Sequence, residues 1–289
     1  MKLALGAAQF GQPYGTFNLG DTLDEASIGD FLNAAKALGT ELIDTAQAYG
    51  QSEEMLGRLG AAKEFKIVTK IAPLGRAVGR AEIKSLVWRS LSALETESVY
   101  GLLLHDEQDL IGPNADLVWE ELESIRSSGR AIKIGVSVYS ASILRTVCRR
   151  YLPDLVQLPY SIIDRRFGES GAIDELHSKG IEIHARSLFL QGFALAREED
   201  LPVHLTRHAG ELRQFRAACW DSGVSQLEAC LAFVKCDPRI SRAVVGAQTI
   251  AQWSETVAAW SKSSQLSDFD YGGSQVEELV DPSRWKRPR

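Results

Sequence analysis

Eight short apolar runs, separated by stretches with helical spacing, each end in a polar side chain at or just past their last residue. They read LALGAAQ to Gln9, LID to Asp44, KIVTK to Lys70, GLLLH to His105, IKIGVS to Ser137, LVQ to Gln157, IEIHAR to Arg186 and AVVGAQ to Gln248. Strands that alternate with helices over a whole chain are parallel and joined by crossover helices. Eight such units predict a parallel eight-stranded (β/α)8 barrel of the TIM type, in which residues at the carboxyl ends of the strands face one shared pocket.

The patterning places strands at 3–8, 41–44, 66–70, 99–104, 132–136, 155–158, 181–185 and 242–246. Thr22 and Glu25 suggest a capping box that opens a helix running to about Leu38. Ser52 is expected to cap a short helix ending near Gly60. Further helices are predicted at 81–94, 115–128, 141–151 after Ser140, 169–179 and 250–260. Residues 187–241 exceed what one connection needs; they carry helical patterns at 207–221 and 225–235 and suggest a loop or helical insertion over the pocket. Residues 261–289 read as a tail with little periodicity. The expectation is one barrel domain over 1–289.

The chain has 289 residues, a net charge of −6, and interspersed rather than clustered charges. It has no basic patch suited to nucleic acid or an anionic membrane. No apolar run reaches the ~20 residues that a bilayer requires, and the start does not read as a signal peptide, so the expected location is cytoplasmic. Cys148, Cys219, Cys230 and Cys236 lack metal-ligand spacing and read as buried free thiols. No metal site is expected.

The chemistry begins in LIDTAQAYG. Asp44 ends a strand, and five residues later Tyr49 lies in a loop that can hang its phenol over the pocket. An unperturbed phenol titrates near 10, and a neighbouring cation lowers that value. Lys70, on the next strand, is placed to be that cation, with Asp44 holding its ammonium. His105 ends the strand after that and can orient a carbonyl oxygen against Tyr49. Any one of these residues has an ordinary structural explanation, but four of them on three consecutive strand units are hard to obtain by chance.

These residues lie within a wider resemblance. LGAAQFG, LIDTAQAYGQSEEMLG, VTK, LLLHDE, IKIGVS, VQLPYSIID, HARSLFLQG and VVGAQTIAQWSETV follow, in order, the pattern of the aldo-keto reductases. The resemblance implies a catalytic tetrad of Asp44, Tyr49, Lys70 and His105, with Tyr49 as general acid/base. It implies hydride transfer between a nicotinamide and a carbonyl, the products being an alcohol or, from a sugar hemiacetal, a lactone.

The same resemblance implies the cofactor contacts. Ser137 and Gln157 fall where members hold the nicotinamide carboxamide. Arg186 stands where many carry a Tyr stacked on the nicotinamide, and Val138 stands where many have Asn. Ser187, Leu188, Gln191 and Gly192 would line the cofactor in HARSLFLQG. Gly246, Ala247, Gln248 and Gln252 would face the adenosine end, where members that grip a 2′-phosphate place cations, and Glu255 matches an acid that faces adenine. NADP(H) is expected first by family habit, and NAD(H) a close second.

Partners implied are a small carbonyl or sugar, with the protein a monomer or small homo-oligomer. Phe10, Tyr14, Phe17, Phe189 and Phe193 are candidate pocket walls. Two other readings are a nicotinamide-binding regulatory barrel with little turnover and a barrel lyase using Lys70 as a Schiff-base nucleophile. The lyase requires Lys70 unpaired and desolvated.

Overall fold

The structure is a computed structural model, and it describes residues 2–13, 15–17, 23–75, 78–263, 269 and 271–285. Eight parallel strands close a barrel in chain order: β1 (Leu3–Gly6), β2 (Leu42–Asp44), β3 (Lys66–Ile71), β4 (Val99–Leu104), β5 (Ala131–Ser137), β6 (Leu155–Pro159), β7 (Glu182–Arg186) and β8 (Arg242–Gly246). β8 pairs back onto β1, Gly6 opposite Gly246.

Side chains alternate across a strand with a period of two, and this places the site. A buried cluster separate from the main core joins Ala4, Leu42, Val68, Leu103, Leu155 and Val244, one residue from each of six strands. It has the make-up of an apolar layer inside a barrel. Two positions further along the same strands come Gly6, Asp44, Lys70, His105, Gln157 and Gly246, so the next layer toward the carboxyl ends is polar or open. Around the barrel, Ile28, Phe31, Ile67, Leu122, Val136, Ile183 and Trp253 belong to the main core between strands and helices.

The predicted strands are present, with ends differing by at most two residues, and the helix ends show which local signals were decisive. Asp24, not a Thr22–Glu25 box, caps Glu25–Ala37 by accepting from the Ser27 amide; Thr22 lies outside the described residues. Ser52 is the first residue of Ser52–Arg58 rather than its cap, because its hydroxyl is committed to the Ala7 carbonyl at 2.9 Å and to Thr45. The predicted 169–179 helix is broken into Arg166–Glu169 and Ala172–Ser178, where Gly171 adopts a φ of +77°. Ser140 caps its helix as expected.

The long segment after β7 contains Ala209–Asp221 and Gln226–Lys235, the latter opened by a capping box from Ser225 to Glu228. The tail is not loose where described: Tyr271, Leu279, Val280 and Trp285 are buried with Phe193, Leu212 and Phe215 in a second core. Cys219 and Cys230 are buried within helices as expected, but Cys148 is only half-buried in its helix, and Cys236, after the last turn of its helix, is exposed, contrary to the expectation of buried thiols. No described helix is long and apolar enough to cross a membrane.

Candidate active site

A cavity of about 600 Å3 opens at the carboxyl ends of the strands. Asp44, Tyr49, His105, Ser137, Gln157 and Arg186 line it, together with Ser187, Leu188, Gln191, Gly192, Gly246, Ala247, Gln248, Gln252 and Glu255. Lys70 lies just behind this wall, 1% exposed, with its ammonium 2.7 Å from the Asp44 carboxylate and 2.9 Å from the Thr45 carbonyl. The same ammonium lies 5.1 Å from the centre of the Tyr49 ring. Tyr49 and His105 meet edge to face, ring centres 5.9 Å apart. The four residues expected to act together are therefore adjacent.

Tyr49 is held by backbone packing. The Ala7 amide donates to the Asp44 carbonyl at 2.8 Å, and the Tyr49 amide donates to Ala46. A Cβ at Gly11 would lie 1.8 Å from the Tyr49 carbonyl oxygen, and one at Gly50 2.2 Å from the Gly11 carbonyl. Gly50 also has a φ of +59°, a region that disfavours any side chain. The two glycines thus let the Tyr49 loop and the turn after β1 touch backbone to backbone. Gln47 fixes the other side: it accepts from the Ala72 amide and donates to Leu86 and Ser90.

Electrostatics set the protonation states. Burial pushes the Tyr49 phenol above its ordinary value, the Asp44 charge acts the same way, and Arg186 opposes them. The phenol is therefore protonated at neutral pH, which reverses the lowering expected from Lys70. The reason is that Asp44 pairs with Lys70 and offsets its field while burial penalises the phenolate. His105 is lowered to about 4, by burial first and then by the charges of Lys70 and Arg186, so its ring is neutral.

Gln157 is fully buried and donates its amide N–H to Asp44 at 2.7 Å. That bond turns its Oε1 the other way, and this buried oxygen has no partner in the structure. Ser137 lies opposite it on β5. A buried acceptor without a donor, beside a hydroxyl, suits a primary carboxamide, whose NH2 donates and whose oxygen accepts.

At the other end Gly246, Gln252 and Glu255 are exposed. A Cβ at Gly246 would fall 2.6 Å from the Gln9 amide. Gln252 accepts from the Gln248 amide at 2.8 Å. Ser187, Leu190 and Gln191 take left-handed φ of 60°, 45° and 54° just after β7, an unfavourable conformation for non-glycine residues that concentrates at functional sites. Of the expected aromatic walls, Phe17 and Phe189 line the cavity. Phe10 packs on Phe31 and Phe193 lies in the second core, and Tyr14 is outside the described residues.

Sequence reasoning missed the supporting residues Gln47, Thr45 and Ser52, and the buried carboxylates Glu53 and Glu107. Glu53 accepts from the Thr69 hydroxyl at 2.5 Å. Glu107 accepts from the Tyr139 and Ser140 amides at 2.8 and 3.1 Å. Both are held above the usual carboxylate range by burial. Both stand in polar stretches, Glu53 between Ser52 and Glu54 and Glu107 between Asp106 and Gln108, and no local pattern marks them as buried.

Comparison with known proteins assigns the family. A family model described as the aldo/keto reductase family matches residues 2–275. Aldo-keto reductase YhdN of Bacillus subtilis is 32% identical over 173 residues, 54% of this chain and 51% of that protein, so the chain spans about half the length of that relative. L-galactose dehydrogenase of Arabidopsis thaliana is 25% identical over 97% of this chain and 92% of its own length. In fold, the chain is similar to the holo form of aldo-keto reductase AKR11C1 from Bacillus halodurans, with a TM-score of 0.73 at 21% identity over 91% of this chain and 87% of that one. The chain belongs to the aldo/keto reductase family and is an oxidoreductase.

Proposed function

We propose that this aldo/keto reductase interconverts a small carbonyl compound and its alcohol, or a sugar hemiacetal and its lactone, with Tyr49 as the general acid/base. The observation that carries the reading is the convergence of Tyr49, His105 and the buried Lys70–Asp44 pair at the inner end of a cavity that Gln157, with its buried and unpartnered Oε1, also lines. A bound reduced nicotinamide supplies the hydride. Tyr49, protonated because it is buried beside Asp44, donates its proton to the developing alkoxide. Lys70 then lies 5.1 Å from the ring that has gained negative charge, a fixed cation in a low-dielectric site. His105, neutral, hydrogen-bonds the same oxygen and sets its direction.

Gln157 and Ser137 would hold the carboxamide. Ser187, Leu188, Gln191 and Gly192 would follow the cofactor outward, and Gly246, Ala247, Gln248, Gln252 and Glu255 would border its adenosine. Among the described residues of that outer border no Lys or Arg faces a 2′-phosphate. NADP(H) is kept first, and NAD(H) a close second. The Schiff-base reading loses its requirement, since Lys70 is ion-paired with Asp44.

The experiment is a tryptophan-fluorescence titration of the folded protein with NADPH and NADH in parallel. Saturable binding of either is expected, and the ratio of dissociation constants assigns the cofactor. Binding of neither overturns the reading.

A further inference from the structure

One charge in the cavity is unused by the mechanism above. Arg186 ends β7 and is the single Lys or Arg among the described residues lining the cavity. Its guanidinium lies 4.0 Å over the Tyr139 ring, and it donates to the Val138 carbonyl at 3.1 Å and to the Ser187 hydroxyl at 3.3 Å. The backbone that carries Tyr139 is itself fixed by the buried Glu107. The cation is thus held in place, yet these bonds use only two of the five N–H donors that a guanidinium has.

No carboxylate among the described residues forms an ion pair with it. Asp44 is committed to Lys70 and Gln157, Glu107 is committed to two amides, and Glu255 is exposed on the outer border. A half-buried guanidinium has lost part of its hydration and gains most from an anion that arrives with the ligand. Its planar fork matches a carboxylate in bidentate fashion. The position narrows the source: Arg186 ends β7 and donates to Val138, the neighbour of Ser137, which lies opposite the Gln157 bonded to Asp44, so it stands at the inner end rather than at the border of Gly246 and Gln252, and its charge reaches Tyr49, His105 and Glu107.

We propose that Arg186 binds an anionic group on the substrate itself, so that the enzyme selects carbonyl compounds that also carry a carboxylate. This rests on the reductase reading above. A neutral carbonyl of the same shape would leave the guanidinium desolvated without a partner, and the site would discriminate against it.

The test compares 4-carboxybenzaldehyde and its methyl ester as probes of the wild-type enzyme, by turnover and by fluorescence titration of the enzyme–cofactor complex. The acid is expected to be preferred by about tenfold or more, as for a charge-assisted bidentate contact. In Arg186→Met the acid-to-ester ratio should fall by a similar factor, mainly through KM, and Arg186→Lys should lie between. An ester handled as well as the acid by the wild type overturns the proposal without any variant. A loss of NADPH affinity in Arg186→Met as large as the loss for the acid also overturns it, because the anion is then the cofactor's phosphate. If the wild type binds neither nicotinamide nor probe, the reductase reading fails, and this inference falls with it.

Discussion

At the inner end of the cavity Asp44, Lys70 and Gln157 are at most 3% exposed and bonded in series, whereas at the outer end Gly246, Gln252 and Glu255 are exposed and Gln252 bonds only locally, to Gln248 and within its own helix. The inner residues come from β2, β3 and β6, so moving one disturbs three strands. The outer ones stand on a strand end and the first turns of a helix, and at the exposed Gln252 and Glu255 a substitution disturbs little. Chemistry that depends on preorganised charge needs the first kind of construction. Choice between two cofactors that differ by one phosphate can be left to the second.

Tyr49→Phe separates the two ends with the largest expected effect. It removes the proposed proton donor and keeps the ring, so kcat/KM should fall by about 10²–10⁴, the range for a lost general acid, while nicotinamide affinity stays within about twofold. Steady-state kinetics and fluorescence titration read the two numbers. A wild-type rate in this variant would remove Tyr49 from the chemistry.

Rigidity of the inner end is tested by a residue that never touches a ligand. In Gly11→Ala the new methyl meets the Tyr49 carbonyl and the Ser52 amide at 1.8 and 2.3 Å, and overpacking of this kind costs about 1–3 kcal/mol. We expect a lower Tm and a lower kcat together. Gly210→Ala, with open space around its Cβ in the helix Ala209–Asp221, should be neutral or slightly stabilising. Equal behaviour of the two variants would mean that the Tyr49 loop is not clamped.

The complementary change belongs at the outer end. Gln252→Arg gives the proposed adenosine border a cation, and NADPH should bind about 3–10-fold more tightly while NADH is unchanged, since an exposed charge-assisted bond is worth about 1 kcal/mol. Parallel titrations measure it. Identical gains for both cofactors would show that residue 252 does not face the 2′ position.

The difference between the two ends also explains what the sequence made legible. Asp44, Lys70, His105 and Gln157 each stand two residues beyond an apolar residue of the barrel layer, and a period of two is visible in a linear sequence. The clamp of Gly11 against Gly50 is a contact between segments about forty positions apart, and no local pattern announces it. The protonated phenol was misjudged for a related reason. Lys70 beside Tyr49 is evident from strand order, but the offset of its charge by Asp44 and the depth of burial are three-dimensional quantities. Likewise the second core, which binds Tyr271 and Trp285, depends on residues scattered over 162–285 with no shared periodicity.

Dryness of the inner end has its own signature in acid, though a small one. The folded His105 titrates at about 4, below the ordinary 6.5 of the unfolded chain. Its neutral form therefore supports the fold fully above 6.5, and that support is lost as pH falls from 6.5 toward 4, because the unfolded chain takes a proton that the folded one refuses. Asp109 runs against it: burial raises its carboxyl to about 6, so the folded chain gains stability from protonating it between 6 and 3.8. The wild-type curve mixes the two, and His105→Asn separates them. Urea unfolding at pH 7 and pH 5 should show the wild type losing about 1 kcal/mol more than the variant, after allowance for the ring's partial exposure. An equal loss in both proteins would mean that water reaches the His105 ring freely, and the inner end would then resemble the outer one.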